Sequence, residues 1–156
     1  MMAISIRDAV VDDAVAAADV RVRSITELCT PDHHDDPAIL AKWLSNKSPE
    51  IFKSWIAQPD NSVLVAVKDN TIVGVGSVTD RGDITLNYVL PAARFRGVSR
   101  ALLAALEQRA REKGNTRCTL RSTETARRFY RSAGYIEEGP AVARLGTPMS
   151  KHLTND

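Results

Sequence analysis

The stretch ITLNYVLPAARFRGVSRALLAALE, residues 84–107, decides the reading of this chain. A β-rich run ends at Val89, Pro91 stops it, and a helix begins near Val98 or Ser99. The loop between them carries Arg94, Arg96 and Gly97. Glycine lets a backbone approach a ligand closely because it has no Cβ. A helix start offers N–H groups without intrahelical partners and the positive end of the dipole. Two arginines beside such a start reinforce the binding of a diphosphate. The residues therefore describe an anion site at a helix start without naming the anion, and a plain strand–turn–helix connection with solvated arginines stays open beside it.

The helix runs on through EQRAREKG, with Leu102, Leu103 and Leu106 facing inward, Gln108, Arg109 and Arg111 outward, and Gly114 as its stop. TRCTLRS after it is a strand, TETARRFYRSAG a short helix ended by Gly134, and YIEEG and PMSKHL two last strands. Upstream, SVLVAV, Asp69-Asn70 and TIVGVGSV read as an antiparallel hairpin. Before it come helices around Ile39–Leu44 and after Pro49, the latter with Ile51, Phe52, Trp55 and Ile56 on one side. Trp43, Trp55 and Phe52 read as core rather than as a substrate platform. Ile4 and Ile6 begin a first strand, and Asp12 and Asp13, placed to cap free N–H groups, precede a helix whose apolar stripe is Ala14, Ala18, Val22, Ile25 and Leu28. The sequence thus predicts an α+β domain over 1–156, with a largely antiparallel sheet and one parallel crossover at 84–122.

Composition narrows the function. The chain of 156 residues is 44% hydrophobic and 26% charged, an ordinary globular balance. No apolar run approaches the ~18 residues of a membrane span, and MMAISIRDAVVDDA lacks the pattern of a signal peptide. Cys29 and Cys118 are too few for a disulfide framework, read as buried thiols, and stand in no zinc-like cluster. A soluble cytoplasmic protein without a metal is expected. The net charge of +2 hides an asymmetry: residues 1–93 hold 8 Lys/Arg against 13 Asp/Glu, and residues 94–131 hold 11 against 3. That asymmetry suggests an anionic partner for the second half. Nucleic acid fits poorly, because no aromatic platform interleaves the basic residues and the acidic half repels phosphate. Neither GxGxxG after the first strand nor GxxxxGK[ST] occurs.

The decisive stretch resembles the acetyl-coenzyme A site of the GNAT superfamily of N-acetyltransferases. The family pattern is V-x-P, two residues, then Q/R-x-x-G-x-G/A at the start of a long helix ending in LL. Here it reads Val89-Leu90-Pro91, then Arg94-Phe95-Arg96-Gly97-Val98-Ser99, then Ala101-Leu102-Leu103, with Ser99 in the last small position. The later family pattern A-x-x-F-Y-x-x-x-G-F/Y is matched by Ala126, Phe129, Tyr130, Gly134 and Tyr135, with Thr125 where the family often has Asn.

The resemblance implies that the strands 84–89 and 116–122 splay apart and that the pantetheine arm lies in the gap. It implies that backbone groups of Tyr88 and Val89 hold that arm. The diphosphate falls to the N–H groups of Phe95 to Ser99, with Arg94 and Arg96 as charged neighbours and Arg100 beside them. Thr125 and Phe129 are further implied cofactor contacts. Tyr130 is implied as the general acid; by its position alone it is a buried helix aromatic. Acetyl-coenzyme A as co-substrate and an amine acceptor follow, with a homodimer allowed; a non-catalytic acyl-coenzyme A-binding module is the alternative. The acceptor side of the family falls on the loop holding Asp32, His33 and His34, with Asn87 beside the fourth strand. The carboxylates around His33-His34 superficially suggest a metal loop, but such closely adjacent residues do not easily wrap one ion. Asp83 reads as a turn residue, and no general base is legible.

Overall fold

The computed structural model describes residues 4–29, 32, 34–44, 48–93, 97–142 and 146–153. In chain order the elements are β1 (Ser5–Asp8), a 3-10 turn (Val11–Asp13), α1 (Ala14–Leu28), α2 (Pro37–Leu44) and α3 (Pro49–Ala57). The strands β2 (Asn61–Lys68), β3 (Thr71–Thr79) and β4 (Asp83–Val89) follow, then a 3-10 turn (Pro91–Ala93) and α4 (Val98–Glu112). The chain continues through β5 (Arg117–Ser122), α5 (Arg127–Ser132), β6 (Ile136–Glu137) and β7 (Thr147–His152).

Among the described residues these strands form one sheet in the order β1-β2-β3-β4-β5-β7-β6. β4 and β5 run parallel, and every other neighbouring pair is antiparallel. The β2–β3 hairpin closes on Asp69 and Asn70, both with positive φ, as a tight two-residue turn requires. Helix α4 supplies the long crossover that a parallel pair needs.

Helices pack on both faces of the sheet. On one, Leu102, Leu103, Leu106 and Ala110 of α4 meet Val78, Ile84, Cys118, Leu120 and Met149. Gly76 of β3 allows this approach, since a Cβ there would stand 2.8 Å from Leu106 Cδ1. On the other face, Ala14, Ala17, Ala18 and Val20 of α1 and Phe52 of α3 cover Val63, Val65, Val75 and Leu86.

Three local expectations are corrected. Asp13 does not cap α1 through its side chain; its carboxylate takes Arg7 in two bonds of 2.8 and 3.0 Å and the Val10 N–H at 2.8 Å. Val22 is only half-buried, whereas Ala17 and Ser24 join the covered face of α1. Arg109 does not simply face solvent: it binds Asp8 at 2.9 Å and Ser62 at 3.2 Å, fastening α4 to the β1–β2 edge. Beside it Glu107 is buried, accepting from the Tyr135 hydroxyl at 2.8 Å and from Lys151 at 3.0 Å.

Candidate active site

β4 and β5 are paired only at Asp83–Thr119 and Ile84–Leu120. Beyond these positions no ladder joins the two strands among the described residues, and they part. β4 is also irregular here. Ser77 of β3 faces Leu86 and Val78 faces Ile84, so Thr85 is the extra residue of a bulge, its hydroxyl bonded to that of Ser77. Bulges bend a strand and increase its twist.

The parted strands, the 123–126 turn, α5 and the start of α4 enclose a cleft of about 470 Å³. Gly97, Val98, Ser99 and Arg100 line one end. Gly97 takes φ 78° at the N-cap of α4 and carries no capping side chain. A Cβ built on Gly97 would meet no atom of the described residues within 4 Å. Arg100 reaches across from α4 to bond Ser132 of α5 at 3.1 Å, its guanidinium 5.7 Å from the Phe129 ring centre.

Asn87, Tyr88, Val89, Thr125, Phe129 and Tyr130 line the body of the cleft. Tyr130 is 7% exposed, with its ring edge-on to Phe129 and Tyr135. Burial pushes its phenol well above the ordinary value, opposed by a hydrogen bond from the Asn87 side chain. Tyr130 is therefore a phenol that keeps its proton throughout the working pH range. Asn87 Oδ1 is buried in the same place without a hydrogen-bond partner. No carboxylate or imidazole lines the cleft among the described residues.

The loop residues expected on the acceptor side separate. Asp32 accepts from the Glu124 N–H at 2.7 Å, the Thr125 N–H at 3.1 Å and the Thr125 hydroxyl at 2.6 Å. Its carboxylate thus pins the turn that carries Thr125 and lines neither cavity of the site; that pairing across 93 residues is invisible in sequence. His34 is exposed in a left-handed conformation and also lines neither. His33, and the loop residues Arg94, Phe95 and Arg96, lie outside the described residues. Asp83 opens β4 and accepts from the Thr119 hydroxyl. Cys29 and Cys118 are both buried free thiols.

One residue of α1 and the residue that follows the helix join the site unannounced by any motif. Ser24 and Cys29 line the cleft. Burial, aided by the neighbouring Asp32 charge, pushes the Cys29 thiol up to about 12, so it is an unreactive neutral group there. A second cavity of about 280 Å³ adjoins, sharing Thr85 and Leu86 with the first, and is lined further by Arg21, Trp55, Gln58, Asp60, Asn61 and Thr79. Trp55 is thus both core, edge-on to Phe52 at 5.1 Å, and cavity wall.

A sheet parted at its parallel β4–β5 pair, with a helix start lining one end of the gap, suits acyl transfer, and the chain belongs to the GNAT acetyltransferases. The family model for the acetyltransferase (GNAT) domain matches residues 29–153. Among solved structures, the chain is similar to a GCN5-related N-acetyltransferase from Rhodopseudomonas palustris, with TM-score 0.86 and 25% identity over 98% of each chain. It is also similar to the PaiA N-acetyltransferase from Thermoplasma acidophilum in complex with coenzyme A. There the TM-score is 0.85 at 20% identity, over 97% of this chain and 99% of that one. YncA from Salmonella typhimurium, solved with acetyl-CoA, aligns at TM-score 0.69 and 24% identity over 99% and 96%. No curated protein sequence matches the chain. No helix among the described residues is long and apolar enough to cross a membrane.

Proposed function

We propose that this domain moves an acetyl group from acetyl-CoA to a primary amine by direct attack within a ternary complex. The observation that carries the reading is the cleft between β4 and β5, with the start of α4 lining one end and Tyr130 lining its body.

The pantetheine arm takes the gap as an added strand, pairing with backbone of β4 around Tyr88 and Val89. The diphosphate sits on the first-turn N–H groups of α4 beside Gly97 and Ser99, with Arg94, Arg96 and Arg100 as the cationic surround and Thr125 and Phe129 flanking the cofactor. A backbone N–H of β4 holds the thioester oxygen and stabilises the charge it gains during attack. Asn87 has one spare acceptor, Oδ1, aimed at no protein group, which suits an N–H of the incoming amine. The neutral amine nitrogen bonds to the carbonyl carbon and gives up one of its two protons to water, the C–S bond breaks with its electrons passing to sulfur, and Tyr130 gives the thiolate its proton. Tyr130 recovers that proton from solvent.

The attacking nitrogen must be neutral. With no carboxylate or imidazole lining the cleft among the described residues, water takes the ammonium proton. The Tyr130 hydroxyl in the cleft favours this reading over a module that merely holds acyl-CoA, since a binding module has no need of a proton donor there. The test is thiol release from acetyl-CoA in the presence of a panel of amines. Release that depends on amine and grows with the neutral amine fraction supports the proposal. Tight acetyl-CoA binding with no release from any amine contradicts it.

A further inference from the structure

Arg21 stands on the buried stripe of α1, between Ala17–Ala18 and Ser24–Ile25, where helix periodicity places a core residue. Its Nε and Nη1 are buried and have no hydrogen-bond partner. The guanidinium lies 5.0 Å from the Trp55 ring centre and 5.8 Å from that of Tyr88. Aromatic faces attract a cation but do not neutralise it. No ion pair of Arg21 exists among the described residues; Asp60, exposed at the rim of the same cavity, makes none with it. Burial lowers the guanidinium pKa, and the Tyr88 hydroxyl is the one group that offsets this. Buried charges are ordinarily paired, because desolvation costs several kcal/mol per ion. An unpaired one facing a cavity is a charge awaiting a partner.

The cavity's place says which partner. It shares Thr85 and Leu86 with the cleft, and Tyr88 joins the two by lining the cleft while facing Arg21. It lies on the α1–α3 side of β4, away from the α4 start proposed for the diphosphate. A molecule lying in it can extend one end toward Asn87 and Tyr130.

We propose that Arg21 binds an anionic group of the acceptor, so that the amine acetylated is a small one bearing a carboxylate or a phosphonate-like oxyanion. This deepens the acetyltransferase reading above and rests on it. The small volume and the one cationic side chain in the cavity's described lining fit a compact amino acid, whose carboxylate meets Arg21, rather than a polyamine, which brings no anion to it.

The test compares thiol release from acetyl-CoA across matched amines: α- and ω-aminocarboxylates, aminoalkylphosphonates, and the alkylamines left when the acid group is deleted. A charge-assisted contact to a buried cation is worth roughly 10- to 100-fold in kcat/KM. The wild-type protein is expected to prefer an acidic amine over its acid-free partner by that factor, and the carboxylate and phosphonate arms tell which oxyanion it takes. Arg21→Met should collapse the preference to within about threefold, and Arg21→Lys should keep part of it. Acetyl-CoA affinity measured on each variant reports whether the fold is intact. Equal use of acidic and acid-free amines by the wild type overturns the oxyanion assignment and leaves the acetyltransferase reading standing. A preference that survives in both Arg21 variants overturns the assignment to Arg21. Absence of release from every amine, with acetyl-CoA still bound, overturns both readings.

Discussion

Replacing Tyr130 with Phe removes one oxygen and keeps the ring that packs edge-on against Phe129 at 5.2 Å and Tyr135 at 5.7 Å. The Asn87 side chain, already carrying an unpartnered Oδ1, loses the polar neighbour that the phenol provides. An unmet buried polar group costs about 1–3 kcal/mol, so a modest loss of stability should accompany the change. The kinetic effect is separate. General-acid assistance is generally worth ~10²–10⁴ in rate, and a thiolate, with a conjugate pKa near ~8.5, leaves tolerably without help. A drop in kcat of about 10- to 100-fold is therefore expected, equivalent to roughly 1.4–2.8 kcal/mol of transition-state stabilisation. Acetyl-CoA Kd should change little, because in the proposed mechanism the hydroxyl acts on sulfur late in the reaction. The assay is single-turnover thiol release with saturating amine, paired with calorimetry for Kd. An unchanged single-turnover rate would remove Tyr130 from proton transfer and leave water as the donor. A large rise in Kd at unchanged rate would make it a binding residue.

Asp32→Ala should strip three hydrogen bonds from the 123–126 turn, lowering stability by about 1–3 kcal/mol and raising acetyl-CoA Kd several-fold through Thr125. Thermal unfolding and calorimetry check this, and a variant altered only in acceptor KM would contradict it. Stability should fall as pH rises above about 9. The thiols of Cys29 and Cys118 are raised by burial to about 12 and about 11, and the phenols of Tyr88, Tyr130 and Tyr135 are raised as well. The folded chain then holds protons that the unfolded chain releases, so this stabilising contribution is complete below the unfolded values and is lost as pH climbs through the folded ones. Equal urea midpoints at pH 8 and pH 10.5 would contradict it. The rate should rise with pH up to the pKa of the amine without a descending limb below about pH 10, since Tyr130 keeps its proton; a fall between pH 8 and 9 would refute that.

The layout was legible where one period or one turn governs a segment. The hairpin at Asp69-Asn70 and the α4 stripe of Leu102, Leu103 and Leu106 needed only local rules. The cleft was legible through residues whose chemistry is local too, Gly97 at a helix start and Tyr130 on a short helix. What escaped was carried by distant pairings. Asp32 has no neighbour in sequence to suggest Thr125, 93 residues on. Glu107 looks like one more charge on α4 until Tyr135 and Lys151 close over it. Arg21 was the missed opportunity. Positions 14, 17, 18, 21, 24 and 25 trace one helix face, and a cation in the middle of that face is a signal that the stripe was not all core.

In the proposed function acetyl-CoA enters the gap between β4 and β5 with its diphosphate on the start of α4, a claim that calorimetric titration of Gly97→Val checks. Gly97 holds φ 78° with no atom of the described residues within 4 Å of its Cβ position, so valine there strains the backbone and fills the ground proposed for the diphosphate. Gly114→Val is the control. It imposes a similar strain at φ 89°, also with no atom of the described residues within 4 Å, just past the far end of the same helix. Gly114→Val is expected to bind acetyl-CoA as the wild type does, and Gly97→Val to lose measurable binding while remaining folded. Binding by Gly97→Val within about twofold of the wild type would contradict the claim.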